Sequence, residues 1–104
     1  MAAVTGSFTA TGQSASFVPQ SDTSGRYPKQ FNVMARGTFV GTVRLEQSFD
    51  NESNWSVCSR DSAGTDASWT APFRVVVEEP EAGVLYRLNC TAYTSGTINY
   101  RISQ

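Results

Sequence analysis

GTFVGTVRLEQSF, residues 37–49, changes chemical character with a period of two. Phe39, Gly41, Val43, Leu45, Gln47 and Phe49 share one parity; Val40, Thr42, Arg44, Glu46 and Ser48 share the other. A strand sends successive side chains to opposite faces, so the odd set predicts a mostly apolar face and the even set a mostly polar one. The run is rich in β-branched and aromatic residues and ends in Asp50-Asn51-Glu52-Ser53-Asn54, a cluster of turn formers.

The same alternation recurs on both sides. Upstream, Phe31, Val33 and Ala35 oppose Gln30, Asn32 and Met34, and Gly37 then breaks the pattern. The simplest expectation is an antiparallel hairpin between this strand and the 37–49 strand. Downstream come a short strand at 55–59, a polar loop at 60–68, and a strand at 73–78 with Phe73, Val75 and Val77 on one side. Glu79-Pro80-Glu81-Ala82-Gly83 reads as a turn, because proline cannot donate to a ladder and glycine accepts positive φ. Val84, Tyr86, Leu88, Cys90 and Ala92 then alternate against Leu85, Arg87, Asn89, Thr91 and Tyr93. Ile98, Tyr100 and Ile102 make the last apolar face, with Thr94-Ser95-Gly96 expected as a three-residue hairpin before it.

Residues 1–28 are less regular: a strand is expected at 6–11, a second short one at 16–18, then a loop at 20–28 anchored by Tyr27. The expected fold is therefore all-β: an immunoglobulin-like or jelly-roll-like antiparallel β-sandwich of about seven strands. Residues 1–28 form an N-terminal arm of first strands and loop within the same domain, and residues 29–104 the sandwich core.

The bulk numbers agree with one such domain. A chain of 104 residues holds one core, and 39% hydrophobic with only 16% charged residues argues against a coiled coil or a charged disordered chain. A net charge of −1 supplies no electrostatic attraction toward nucleic acid or an anionic membrane. No apolar run approaches the roughly 20 residues of a membrane helix. The start, MAAVTGSF, has neither a basic n-region nor an apolar h-region, so the expectation is synthesis in the cytoplasm without a secretory signal.

Candidate chemistry is sparse. Histidine is absent, which removes the commonest general base, metal ligand and partner of a Ser or Cys nucleophile. Asp50, Asn51, Glu52 and Asn54 could offer oxygens to calcium, but they lack the glycine and distal glutamate of a calcium loop and also build turns unaided. Glu78, Glu79 and Glu81 surround a proline at a strand end, where nothing separates their pKa values into the acid and base of a glycosidase. Trp55, Trp69, Tyr27 and Tyr93 could stack on sugars, although aromatics serve cores and protein interfaces equally well. Cys90 shares its parity with core residues and Cys58 with Ser56 and Arg60, so two reduced cysteines, with Cys90 buried, are expected rather than a disulfide. No catalytic, cofactor or metal site is expected.

Two stretches resemble a known group. GTFVGTVRLEQSFDNESNW (residues 37–55) resembles the pattern sGtfvGtvtlqrSfDgGatW, and EPEAGVLYRLNCTAYTSGTINYRISQ (residues 79–104) resembles epeaGvlYRlrctaytSGtinyrlsq. Both patterns are associated with small structural proteins of tailed bacteriophages and prophages, among them head-decoration (cement) proteins. The likeness covers a little under half the chain. It departs from the pattern at Asn51-Glu52-Ser53, where glycines are usual, which puts the shape of that turn in question. The resemblance implies a non-enzymatic capsid decoration protein made in the bacterial host cytoplasm and carried on the virion surface. Its partner would be the major capsid protein, with a homotrimer at capsomer junctions as one arrangement. A tail- or fibre-associated module and a carbohydrate-binding module are the alternatives. No site residue travels with the patterns; Phe8, Phe17, Tyr27, Trp55 and Trp69 are the residues expected at a partner interface.

Overall fold

The computed structural model of the chain describes residues 3–19, 29–59, 66–79 and 83–104. In chain order its strands are β1 (Ala3–Phe8), β2 (Gly12–Gln13), β3 (Lys29–Arg36), β4 (Phe39–Ser48), β5 (Ser56–Val57), β6 (Ser68–Trp69), β7 (Phe73–Glu79), β8 (Leu85–Gly96) and β9 (Ile98–Ser103). They form two antiparallel sheets, one ordered β1-β9-β3-β7 and the other β2-β8-β4-β5, with β6 also paired to β4. The fold is an all-β sandwich. Every connection crosses between sheets except those joining β4, β5 and β6. That winding is the jelly roll, with β5 and β6 sharing the place of one strand.

The core follows from the pleat. Phe31, Val33 and Ala35 of β3 face Val77, Val75 and Phe73 of β7 on one side, while Val33 also meets Ile102 of β9. On the opposite sheet Val43 pairs with Cys90 and Leu45 with Leu88. These inward faces meet in one cluster that also takes in Phe8, Phe17, Val84, Tyr86 and Ile98. Each fully buried Phe, Leu, Ile or Val contributes about 1.5–3 kcal/mol by leaving water. Phe31 sits at the centre of an aromatic group, its ring 5.3 Å from Phe17 and 4.8 Å, edge-on, from Tyr86.

Several expectations are corrected. The adjacent strands β3 and β4 do not form a hairpin, and neither do β8 and β9; both links are corners between sheets. β8 instead continues through Gly96, which pairs with Phe39. The two corners lock against each other. Gly37 (φ 120°) and Gly96 (φ 92°) are both left-handed, and a Cβ on Gly37 would strike the Thr97 carbonyl oxygen while one on Gly96 would strike that of Thr38. Glycine is needed there to let two backbones touch, not to close a hairpin.

The second correction concerns the even face of the 37–49 stretch. Glu46 and Ser48 are only 1% and 0% exposed, so the polar face is covered over half its length. The third concerns cysteine: Cys58 is buried along with Cys90, and the two are not bridged. β5 is only two residues long, and beyond it Cys58 is held between Leu45 O, which accepts from its N–H at 2.9 Å, and the Ala67 N–H, which donates to its carbonyl at 2.7 Å.

At the N-terminus the first strand runs from Ala3 to Phe8, earlier than expected, and pairs along its whole length with β9. The expected second strand at 16–18 reduces to a bridge between Phe17 and Tyr86, while Gly12–Gln13 pairs with β8. Residues 20–28, 60–65 and 80–82, which hold the expected loop with Tyr27, part of the expected loop at 60–68 and part of the turn at 79–83, lie outside the described residues.

Candidate functional site

The outer face of the β2-β8-β4-β5 sheet carries a cluster that cross-strand register assembles. Glu46 of β4 stands opposite Arg87 of β8, Arg44 opposite Asn89, and Asn89 opposite Gln13 of β2. Directly opposed residues share a face with their Cβ atoms close enough for side chains to meet. Arg44 Nε donates to Glu46 Oε2 at 2.6 Å and Arg87 Nε donates to Oε1 at 2.8 Å. Asn89 Nδ2 donates to Oε2 at 3.0 Å, and Gln13 Nε2 donates to Asn89 Oδ1 at 3.3 Å.

Glu46 is therefore a buried carboxylate with three donors. Burial pushes its pKa up, but the Asn89 amide and the Arg87 and Arg44 guanidiniums outweigh burial and hold it below the usual carboxylate range. Its side chain is 1% exposed, against 22% for Arg87 and 41% for Arg44. A carboxylate so placed is a counter-ion, not a proton donor or nucleophile. Its effect is to fix two guanidiniums side by side at the surface, leaving the trio one positive charge in excess.

A turn sets the edge of this face. Asp50 Oδ1 accepts from the Asn54 N–H at 2.8 Å and from Ser48 Oγ at 3.0 Å, and Oδ2 accepts from Asn54 Nδ2 at 2.7 Å. Those bonds, led by the Asn54 side chain, hold the Asp50 carboxyl below its ordinary pKa. The four candidate calcium-binding residues thus build the turn. Asn51 (φ 55°) and Glu52 (φ 72°) adopt the left-handed conformation where the resembling pattern carries glycines, and the Ser53 N–H donates back to Asp50 O at 3.3 Å. Two successive left-handed residues make a type I′ turn. The Glu52 carboxylate accepts a hydrogen bond from Ser16 Oγ. The turn delivers Trp55, half-buried, beneath Arg87, whose Cζ lies 4.2 Å from the ring centroid in a cation–π contact.

The residues expected at an interface separate. Phe8 and Phe17 are buried; Phe8 stacks on Tyr100 at 4.6 Å, and neither presents surface to a partner. Trp55 belongs to the arginine face. Trp69 is half-buried and stacks flat on Phe73 at 3.8 Å, beside a cleft of about 410 Å³ between β6 and β7 lined by Leu45, Val75, Val77 and Glu78. Arg44, Glu46, Arg87 and Asn89 were not singled out from the sequence. The available signal was the spacing: Arg44-x-Glu46 and Arg87-x-Asn89 each put two polar groups on one face of a strand.

Among the described residues no group of three or more His, Cys, Asp or Glu is placed to hold a metal ion, and no helix is long and apolar enough to cross a membrane. In comparisons with known proteins, no family model, no curated protein and no solved structure matches the chain.

Proposed function

We propose that the protein is a non-enzymatic structural component of a tailed-phage virion, a head decoration protein that binds the outer shell where capsomers meet. The observation that carries this proposal is the resemblance of residues 37–55 and 79–104 to phage structural proteins. The first of those stretches contains β4 and the second contains β8 and β9, and β4 and β8 pair from Phe39↔Gly96 to Ser48↔Leu85. Although β9 lies in the other sheet, strands β4 and β8 of the two resembling segments are thus neighbours in the sheet bearing Arg44, Glu46 and Arg87.

That surface has the composition of a protein contact. Arginine and tryptophan dominate interface hot spots, and a guanidinium held rigidly in advance loses less freedom on binding. Arg87 covers one face of the Trp55 ring and Phe73 one face of Trp69. We take the partner to be a protein, the major capsid protein, because partly exposed guanidiniums beside a half-buried tryptophan are the residue types of interface hot spots. Stabilisation of the shell would come from interface area repeated over many copies.

Co-sedimentation with expanded, undecorated heads of the parent phage, with copy number read from a quantitative gel, tests the proposal. Hundreds of copies per head, with binding weakened about tenfold or more by Trp55→Ala, support it. A few copies found on tails alone would make the protein a tail or fibre module. Retention on host polysaccharide without head binding would make it a carbohydrate-binding module.

A further inference from the structure

We propose that β7 is a dimerisation edge that pairs antiparallel with β7 of a second copy of this chain, centred on Val76. β7 ends its sheet, paired to β3 on one side and, among the described residues, to nothing on the other. An unpaired strand edge offers a row of N–H and C=O groups that another strand can satisfy. Val76 points outward from this strand and is 65% exposed, more than any other large hydrophobic among the described residues.

The charges flanking Val76 select the occupant. Arg74, Val76 and Glu78 lie on the outer face of β7 and are all exposed, and Arg74 and Glu78 make no ion pair among the described residues. An antiparallel pair about a two-fold axis through Val76 sets Val76 against its own copy and Arg74 against Glu78 of the other chain. The symmetry repeats that pair on the far side, as an isologous contact must. On the inner face Val75 meets Val77. Sliding the register by two residues either way puts Val76 opposite a charged side chain and leaves no Arg–Glu pair. In-register parallel pairing would oppose arginine to arginine and glutamate to glutamate, which is unfavourable. The edge is therefore self-complementary in one register. The result is a continuous sheet of eight strands across the dimer, with the arginine face on the other sheet left uncovered. This inference is independent of the proposed role on phage heads.

Sedimentation velocity of the full chain, from low micromolar to near-millimolar concentration, tests it. A concentration-dependent dimer is expected. Arg74→Glu alone, or Glu78→Arg alone, converts both attractive pairs into repulsive ones and should weaken dimerisation about tenfold or more. The double variant Arg74→Glu/Glu78→Arg reverses every pair and should restore the dimer. A Val76→Cys variant should crosslink to itself on mild oxidation, since directly opposed Cα atoms lie within disulfide reach and the native cysteines are buried. A monomer at every concentration, a dimer indifferent to the single reversals, no rescue by the double variant, or no crosslink at position 76 would each overturn the proposal.

Discussion

Glu46→Gln removes one charge from the centre of the arginine face while keeping the side chain's shape. The wild-type carboxylate accepts from Arg44 at 2.6 Å, Arg87 at 2.8 Å and Asn89 at 3.0 Å. The Asn89 bond is buried and made to an ion, worth about 1.5 kcal/mol net. Arg87, with 22% of its side chain exposed, adds about 1 kcal/mol after solvent screening. Arg44, at 41% exposed, adds no more than about 0.5 kcal/mol. Glutamine retains one acceptor but turns an amide N–H₂ toward guanidinium donors, so the net loss is about 2 kcal/mol, or about 10 °C in Tm for a domain of this size. Urea unfolding followed by tryptophan fluorescence measures it.

The pH dependence of that loss identifies its cause. Glu46 titrates below its ordinary value of 4.5 in the folded protein, so its ionised form favours the fold. The contribution is fully present above the unfolded pKa and disappears as pH falls through the lower, folded one. The gap between wild type and Glu46→Gln should therefore be constant from pH 7 to about 5 and close as pH falls below 4.5 and Glu46 protonates. A gap under about 0.5 kcal/mol at pH 7, or one that persists undiminished once both side chains are neutral, would refute the buried counter-ion account.

Three further outcomes are expected. Glu52→Gly and Glu52→Ala both lose the Ser16 contact, but only glycine relieves the left-handed φ of 72°, so the glycine variant should be the more stable by about 1 kcal/mol in denaturant titrations. Gly96→Ala should cost about 3 kcal/mol, read as a fall in the urea midpoint, because its Cβ would meet Thr38 O and lie 2.7 Å from Phe39 Cα at a φ that disfavours alanine. Phe8→Ala should also cost about 3 kcal/mol by emptying the site against Tyr100; a loss under about 1 kcal/mol would show that β1 contributes little to the core.

The Phe8 prediction changes how the N-terminal arm is to be probed. Deleting residues 1–12 would strip β1 from β9 along six paired positions and open the sheet, so loss of partner binding in such a deletion would report unfolding. Point changes on the arginine face test a partner contact without that ambiguity. Trp55→Ala is the cleanest, since the ring is half-buried and lies outside the main core.

The inward faces were legible from the sequence because the pleat is a local property. Alternation alone places Phe31, Val33 and Ala35, Val43 and Leu45, and Tyr86, Leu88 and Cys90 toward the core, and the structure puts them there. The choice of partner is not local. Gly37 and Gly96 are turn signals that serve a hairpin or a corner between sheets equally well, and long-range pairing of β3 with β9 and β4 with β8 decides for the corner. The immunoglobulin-like and jelly-roll-like possibilities are told apart by strand order, which no local pattern carries.

The arginine face shows the same division. Parity correctly set Arg44 and Glu46 on the polar side of β4. Whether that side met water depended on Arg87 and Asn89, which lie 41 and 43 residues away in the chain and are brought over Glu46 by the β4–β8 register. Sequence by itself determined the fold class, the strand faces and the turn at Asp50, since these rest on the stereochemistry of each residue and its near neighbours. Tertiary structure decided the strand order, the burial of Glu46, Ser48 and Cys58, and the assembly of the arginine face, because each depends on which distant strand lies alongside.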